Sequence, residues 1–150
     1  MPRTKRVLII DDDDKDVHEV RGTVRSCGGE PVVAINAAEA RRHLVAVASG
    51  EESYALAIVD VMMAIDSLEE ILKLEQAVNE NAKRIGVTLC REARERHRIS
   101  AQTLDIVCYS IREDDDIVHE LKALGIRHIS KVSAHGLADL RDYVKKALSS

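Results

Sequence analysis

Residues 7–14 read VLIIDDDD, four apolar residues followed by four consecutive aspartates. An unbroken apolar run of that length, rich in β-branched residues, describes a short strand covered on both faces. Four adjacent carboxylates repel one another, so the segment behind the strand is either a solvated turn or a place where something positive binds. The rest of the chain decides between the two.

The same pattern recurs at PVVAI (31–35), YALAIV (54–59), LDIVCY (104–109) and HISKV (128–132). Stretches of helical spacing separate these runs. Val17, Val20 and Val24 precede Gly28-Gly29, and residues 37–48 present Ala40, Leu44 and Val47 ahead of Gly50. Residues 114–124 present Ile117, Leu121 and Leu124 ahead of Gly125, and residues 138–148 present Leu140, Val144 and Leu148. The glycines stand where helix ends favour them. Five strands alternating with helices predict a parallel sheet covered on both faces.

One interval breaks the rhythm. The stretch from Asp60 to Ser110 is far longer than the ~10 to 12 residues that a crossover with its helix needs. Residues 67–84, SLEEILKLEQAVNENAKR, predict an additional helix with Ser67 as cap and Glu70 as its capping-box partner. Gly86 then ends it before a further helix over 87–98. Ile71, Leu74, Val78 and Ile85 fall near heptad spacing, with Asn81 on the same seam. Such a stripe most often packs on its own domain, which is the expectation; the other reading is a docking or dimer surface beside Asp60.

Length and charge narrow the function. A chain of 150 residues predicts a single domain over 1–150, with an insertion at about 65–85. A net charge of −4 offers no bulk attraction to nucleic acid or anionic lipid, so neither is an expected partner. The apolar runs are strand-sized and the first residues lack an apolar leader, which predicts a cytoplasmic protein. Cys27, Cys90 and Cys108 are odd in number and lack metal-ligand spacing, so reduced thiols are expected. With no Phe or Trp and three Tyr, the core must come from aliphatic residues, and base stacking is an improbable mode of action.

The chemistry gathers where the strands end. Asp11 and Asp12 follow the first, Asp60 the third, Ser110 closes the fourth and Lys131 belongs to the fifth. In an open parallel sheet those ends line one crevice. Each residue alone has a bland explanation as turn former, cap, loop hydroxyl or solvated lysine. Together they make a coherent set. Three carboxylates call for a hard divalent cation with oxygen ligands, and Mg2+ is the natural candidate. A carboxylate is also a nucleophile toward phosphorus, with Ser110 and Lys131 able to hold two of the phosphoryl oxygens and the metal the third.

These residues resemble the receiver domain of two-component response regulators, with VLIIDDDD matching its first strand and acidic pair and the likeness running over nearly the whole chain. The resemblance implies a flavodoxin-like (CheY-like) doubly wound α/β fold, a five-stranded parallel sheet of order 2-1-3-4-5, here with an extra helix between strands three and four. It implies Asp60 in IVDVMM as phosphoacceptor, Asp11 and Asp12 as the magnesium-binding pair, and a Met62 backbone carbonyl on the metal. Ser110 becomes the switch hydroxyl and Lys131 the phosphate-binding lysine. Phosphotransfer would come from a histidine kinase or a histidine phosphotransfer protein. Output would be phosphorylation-dependent binding to a downstream protein, with no enzymatic turnover of another substrate.

The sequence departs from the family pattern in places. Val132 follows the lysine where a proline is usual, so a trans peptide is expected there. Ala64 replaces a proline four places after the phosphoacceptor. Ile111 follows Ser110 where a small residue is general, which predicts a crowded phosphate and slow hydrolysis. His128 holds the aromatic switch position; a partly buried polar residue without signalling duty is expected, against a switch whose state depends on pH near neutrality. Two competing functions remain. The Asp11-x-Asp13 pair with Ser110 and Lys131 also resembles haloacid-dehalogenase phosphatases, which would use Asp11 as nucleophile. A degenerate receiver would act as a protein-binding module without magnesium.

Overall fold

The computed structural model describes residues 4–62, 85–111 and 114–149. Its strands are β1 (Arg6–Ile10), β2 (Glu30–Ala34), β3 (Leu56–Val59), β4 (Asp105–Ser110) and β5 (Arg127–Ser130). They form one sheet of order β2-β1-β3-β4-β5 in which every neighbouring pair is parallel. The helices are α1 (Asp14–Ser26), α2 (Ala37–Ala48), α3 (Ile85–Arg91), α4 (Asp115–Ala123) and α5 (Gly136–Ser149). This is the doubly wound architecture expected from the alternation of runs.

Why the runs are apolar throughout follows from the strand period of two. Val7 and Ile9, Leu56 and Ile58, and Val107 and Tyr109 face α1 and α5, meeting Val20, Val24, Leu140 and Val144. Leu8 and Ile10, Ala57 and Val59, and Ile106 and Cys108 face the other way, meeting Leu44, Leu89, Ile117 and Leu121 of α2, α3 and α4. Both faces of the central strands β1, β3 and β4 are dry, so no polar alternation survives there. Cys90 and Cys108 are buried free thiols with sulfurs 3.8 Å apart, and Cys27 is a half-buried third.

Two close approaches fix the chain where it matters. A Cβ at Gly86 would stand 2.0 Å from the Asp60 carbonyl oxygen and 2.6 Å from Val61 Cα. A Cβ at Gly136 would stand 2.0 Å from the Ser130 carbonyl oxygen. Only hydrogen fits at either point, so the first turns of α3 and α5 press against the backbone just beyond β3 and β5. Gly86 is therefore not the helix breaker its residue type suggested: it lies inside α3, and its N–H donates to the Val61 carbonyl at 2.8 Å.

Other boundaries shift for local reasons. The helix expected over 87–98 is α-helical only to Arg91 and then widens into a π turn over Glu92–Arg96. Arg94 in that turn donates to the carbonyls of Ile99 and Leu104, both at 2.9 Å, and Glu92 pairs with Arg41 of α2. Tyr54 precedes β3 instead of opening it. Its hydroxyl donates to Glu52 at 2.8 Å, accepts from Arg6 at 3.3 Å and lies 3.1 Å from His43 Nδ1. The helix expected over 67–84 and Ala64 lie outside the described residues, as does the heptad stripe except Ile85, which packs against the core of its own domain. Among the described residues no helix is long and apolar enough to cross a membrane.

Candidate functional site

Three of the expected residues sit one position past a strand, and each is tied by its backbone to the strand beside it. The Asp11 N–H donates to Ala34 at 3.1 Å, that of Asp60 to Ile10 at 2.9 Å, and that of Lys131 to Ser110 at 3.0 Å. Each amide thus extends the parallel ladder by one bond while the side chain is free to enter the crevice. Lys131, expected within the fifth strand, follows it for this reason.

The carboxylates are then aimed by local turns. Asp11 Oδ1 accepts the Asp13 N–H at 3.0 Å and Asp60 Oδ1 accepts the Met62 N–H at 3.1 Å. Both are Asx turns, in which a short acidic side chain mimics a turn carbonyl and loses its rotational freedom. The other oxygen of each carboxylate is presented to Lys131. Its Nζ lies 3.1 Å from Asp11 Oδ2 and 3.3 Å from Asp60 Oδ2, and 5.5 Å from the centre of the Tyr109 ring. Residues separated by 120 positions thus meet as a nearly dry ion pair, with the Lys131 side chain 8 % exposed.

A fourth acid joins them that the sequence reading missed. Asp16 Oδ2 stands 2.8 Å from Lys131 Nζ, the shortest of the three contacts. Asp13 caps α1, its Oδ1 accepting the Asp16 N–H at 3.0 Å, so Asp16 is the third residue of the first turn. An acid there is ordinarily read as complementing the helix dipole. Nothing in its spacing distinguishes that role from reaching across to β5. Asp13 as cap and Asp14 as first helical residue thus belong to the start of α1 and not to the crevice.

Carboxylates gather closely among the described residues of the crevice. Asp11, Asp12 and Asp60 each offer an oxygen, all within 4.8 Å of one another, with Asp12 the exposed member. Lys131 Nζ lies within ion-pair distance of Asp11 and Asp60. Burial lifts the Asp11 carboxyl to about 6, and the charge of Asp60 adds to the rise against the pull of the Asp13 N–H and Lys131. Burial works against the Lys131 ammonium, but Asp60, Asp16 and Asp11 outweigh it and hold the ammonium above its ordinary range. Excess carboxylate oxygens at this spacing fit a hard divalent cation and suit neither zinc nor copper.

The remaining expected residues take various places. Ser110 is fully buried at the end of β4, opposite Ser130 in register. His128 pairs with Cys108 on β4, so it shares a sheet face with Ser110 one side-chain pair back, and it is half-buried as expected. Met62 is half-buried beside Asp60. Ile111 is 55 % exposed, so its side chain turns much of its surface to solvent. Val132 is preceded by a trans peptide, as expected, and is 68 % exposed.

No protein-family model matches the chain, and no curated protein matches it. Solved structures do. A two-component response regulator from Clostridium difficile is 20 % identical with a TM-score of 0.68, the match covering 97 % of each chain. A CheY-like receiver domain protein from Methanospirillum hungatei is 17 % identical with a TM-score of 0.67, over 98 % of this chain and 95 % of that one. The BeF3-activated DrrB receiver domain is 17 % identical with a TM-score of 0.65, over 99 % of this chain and all of the other. The fold is that of response-regulator receiver domains, flavodoxin-like with strand order 2-1-3-4-5.

Proposed function

We propose that this chain is a two-component receiver that takes a phosphoryl group on Asp60 and signals by binding a downstream protein. The observation that carries the reading is the meeting of Asp11, Asp60 and Lys131 in one buried crevice at the carboxyl ends of three strands. An Asp60 carboxylate oxygen would attack the phosphorus of a phosphohistidine on a histidine kinase or histidine phosphotransfer protein. The O–P bond forms as the N–P bond breaks, and the imidazole leaves and is protonated. Lys131 would neutralise one phosphoryl oxygen and the Ser110 hydroxyl would donate to another.

Asp11, Asp12, Asp60 and the Met62 carbonyl would hold Mg2+, which when bound supplies a counter-charge for the transferring group. The donor set fits, since it is all oxygen and carries more negative charge than Lys131 balances. Occupying Lys131 and Ser110 with a phosphoryl group would bias a two-state equilibrium read by the partner surface. The protein would then turn over no substrate beyond its own aspartyl phosphate. The stretch 65–85 would serve as packing or as a dimer or docking surface, which deletion of 66–84 with measurement of oligomeric state and kinase pairing separates.

Acetyl phosphate labelling with Mg2+ tests the reading, followed by locating the phosphorylated residue. Label on Asp60 supports a receiver, and label on Asp11 supports the phosphatase alternative. Failure to bind Mg2+ would leave a protein-binding module with receiver shape.

A further inference from the structure

Lys131 presents three N–H donors, and three carboxylates take them. Asp11 and Asp60 belong to the acidic group that fits a cation, whereas Asp16 does not: among the described residues the group is Asp11, Asp12 and Asp60. Asp16 comes from a different element, α1, and makes the shortest contact, 2.8 Å against 3.1 and 3.3 Å. We propose that Asp16 is a positioning residue that holds Lys131 in its unphosphorylated arrangement and lowers the affinity of the site for a phosphoryl group. This rests on the receiver reading of the site.

The reasoning follows the donors. Phosphorylating Asp60 converts its carboxylate into an acyl phosphate, and its contact to Lys131 is the longest, so the phosphoryl group takes over that donor. The Asp16 contact is untouched by the chemistry. The phosphoryl oxygen therefore shares the ammonium with a carboxylate on the same nitrogen, no more than two hydrogen-bond lengths away. Two negative charges ~5 to 6 Å apart repel even with the effective screening of a protein surface, and Asp16, a third exposed, is only partly shielded by water. Its second consequence is mechanical: the first turn of α1 is fastened to the residue after β5 for as long as Lys131 favours Asp16 over the phosphoryl group.

The test is fluorine NMR titration of the full chain with beryllofluoride, a phosphoryl mimic, at saturating Mg2+. Asp16→Asn is expected to bind about tenfold more tightly than wild type, and Asp16→Glu, which keeps the charge, to stay within about threefold of it. General loss of structure would weaken binding, so the sign separates the proposal from a merely structural role. Unchanged or weaker binding by a folded Asp16→Asn overturns it, as does equal tightening in Asp16→Glu. If wild type and both variants ignore beryllofluoride while Mg2+ binds, the receiver reading fails and takes this inference with it. Binding by wild type without tightening in Asp16→Asn sinks the inference alone.

Discussion

The sheet carries a polar cluster at each end, and the two are built on opposite principles. At the amino ends, Arg6, Tyr54, Glu52 and His43 close on one another. The Arg6 guanidinium lies 4.7 Å over the Tyr54 ring, Glu52 accepts from Tyr54 and lies 2.8 Å from His43 Nδ1, and the charges cancel internally. Burial and then Glu52 push the Tyr54 hydroxyl up to about 12, which suits a permanent donor. At the carboxyl ends, three carboxylates, those of Asp11, Asp16 and Asp60, meet one ammonium, with Asp12 beside them. A cluster that is complete fastens strands together, and one left with excess charge is shaped for something that arrives.

That contrast is breakable. The largest effect is expected from Asp60→Asn, which should abolish acetyl phosphate labelling, while Tyr54→Phe leaves labelling intact; mass spectrometry of the intact chain reads both. Next, Gly86→Ala drives a methyl group into the Asp60 peptide and should cost about 3 kcal/mol in urea unfolding, the upper end for overpacking. Comparable in size, Mg2+ at 100 times its Kd should stabilise the wild type by about 2.7 kcal/mol. Asp12→Ala should lose most of that gain, whereas His43→Gln should keep it. Tyr54→Phe should cost about 1 kcal/mol of stability, the net worth of its hydrogen bonds, with Mg2+ binding unaltered. The smallest change belongs to Ile111→Ala: because that side chain is mostly solvated, the aspartyl phosphate should hydrolyse only about twofold faster, measured by loss of label.

What the sequence showed of all this depended on range. The sheet was legible because burial on both faces writes itself into runs such as VLII, LAIV and IVCY, whereas its order came only from the resemblance. Asp11, Asp60 and Lys131 were legible because strand ends converge by topology, whatever the side chains do. Asp16 was not, since a first-turn acid has a sufficient local reason to exist and its contact with Lys131 spans 115 residues. Gly86 was misread for the converse reason. Its residue type signals a break, whereas its task, admitting a backbone at 2.0 Å, is visible only once α3 and β3 are side by side. The π turn at Glu92–Arg96 likewise reflects what Arg94 reaches and leaves no mark on the apolar spacing.

The bond from Gly86 to Val61 has a further consequence for the unusual length between β3 and β4. It brings Val61 and Gly86 within 2.8 Å of each other, so residues 63–84 leave and rejoin the frame at practically one point. The entropic cost of closing such a stretch grows only as the logarithm of its length, and doubling it adds about 0.6 kcal/mol. Residues can therefore be gained or lost between Met62 and Ile85 without disturbing the position of Asp60. The bond thus marks a point beside Asp60 where the length of the connection and the position of the carboxylate are decoupled.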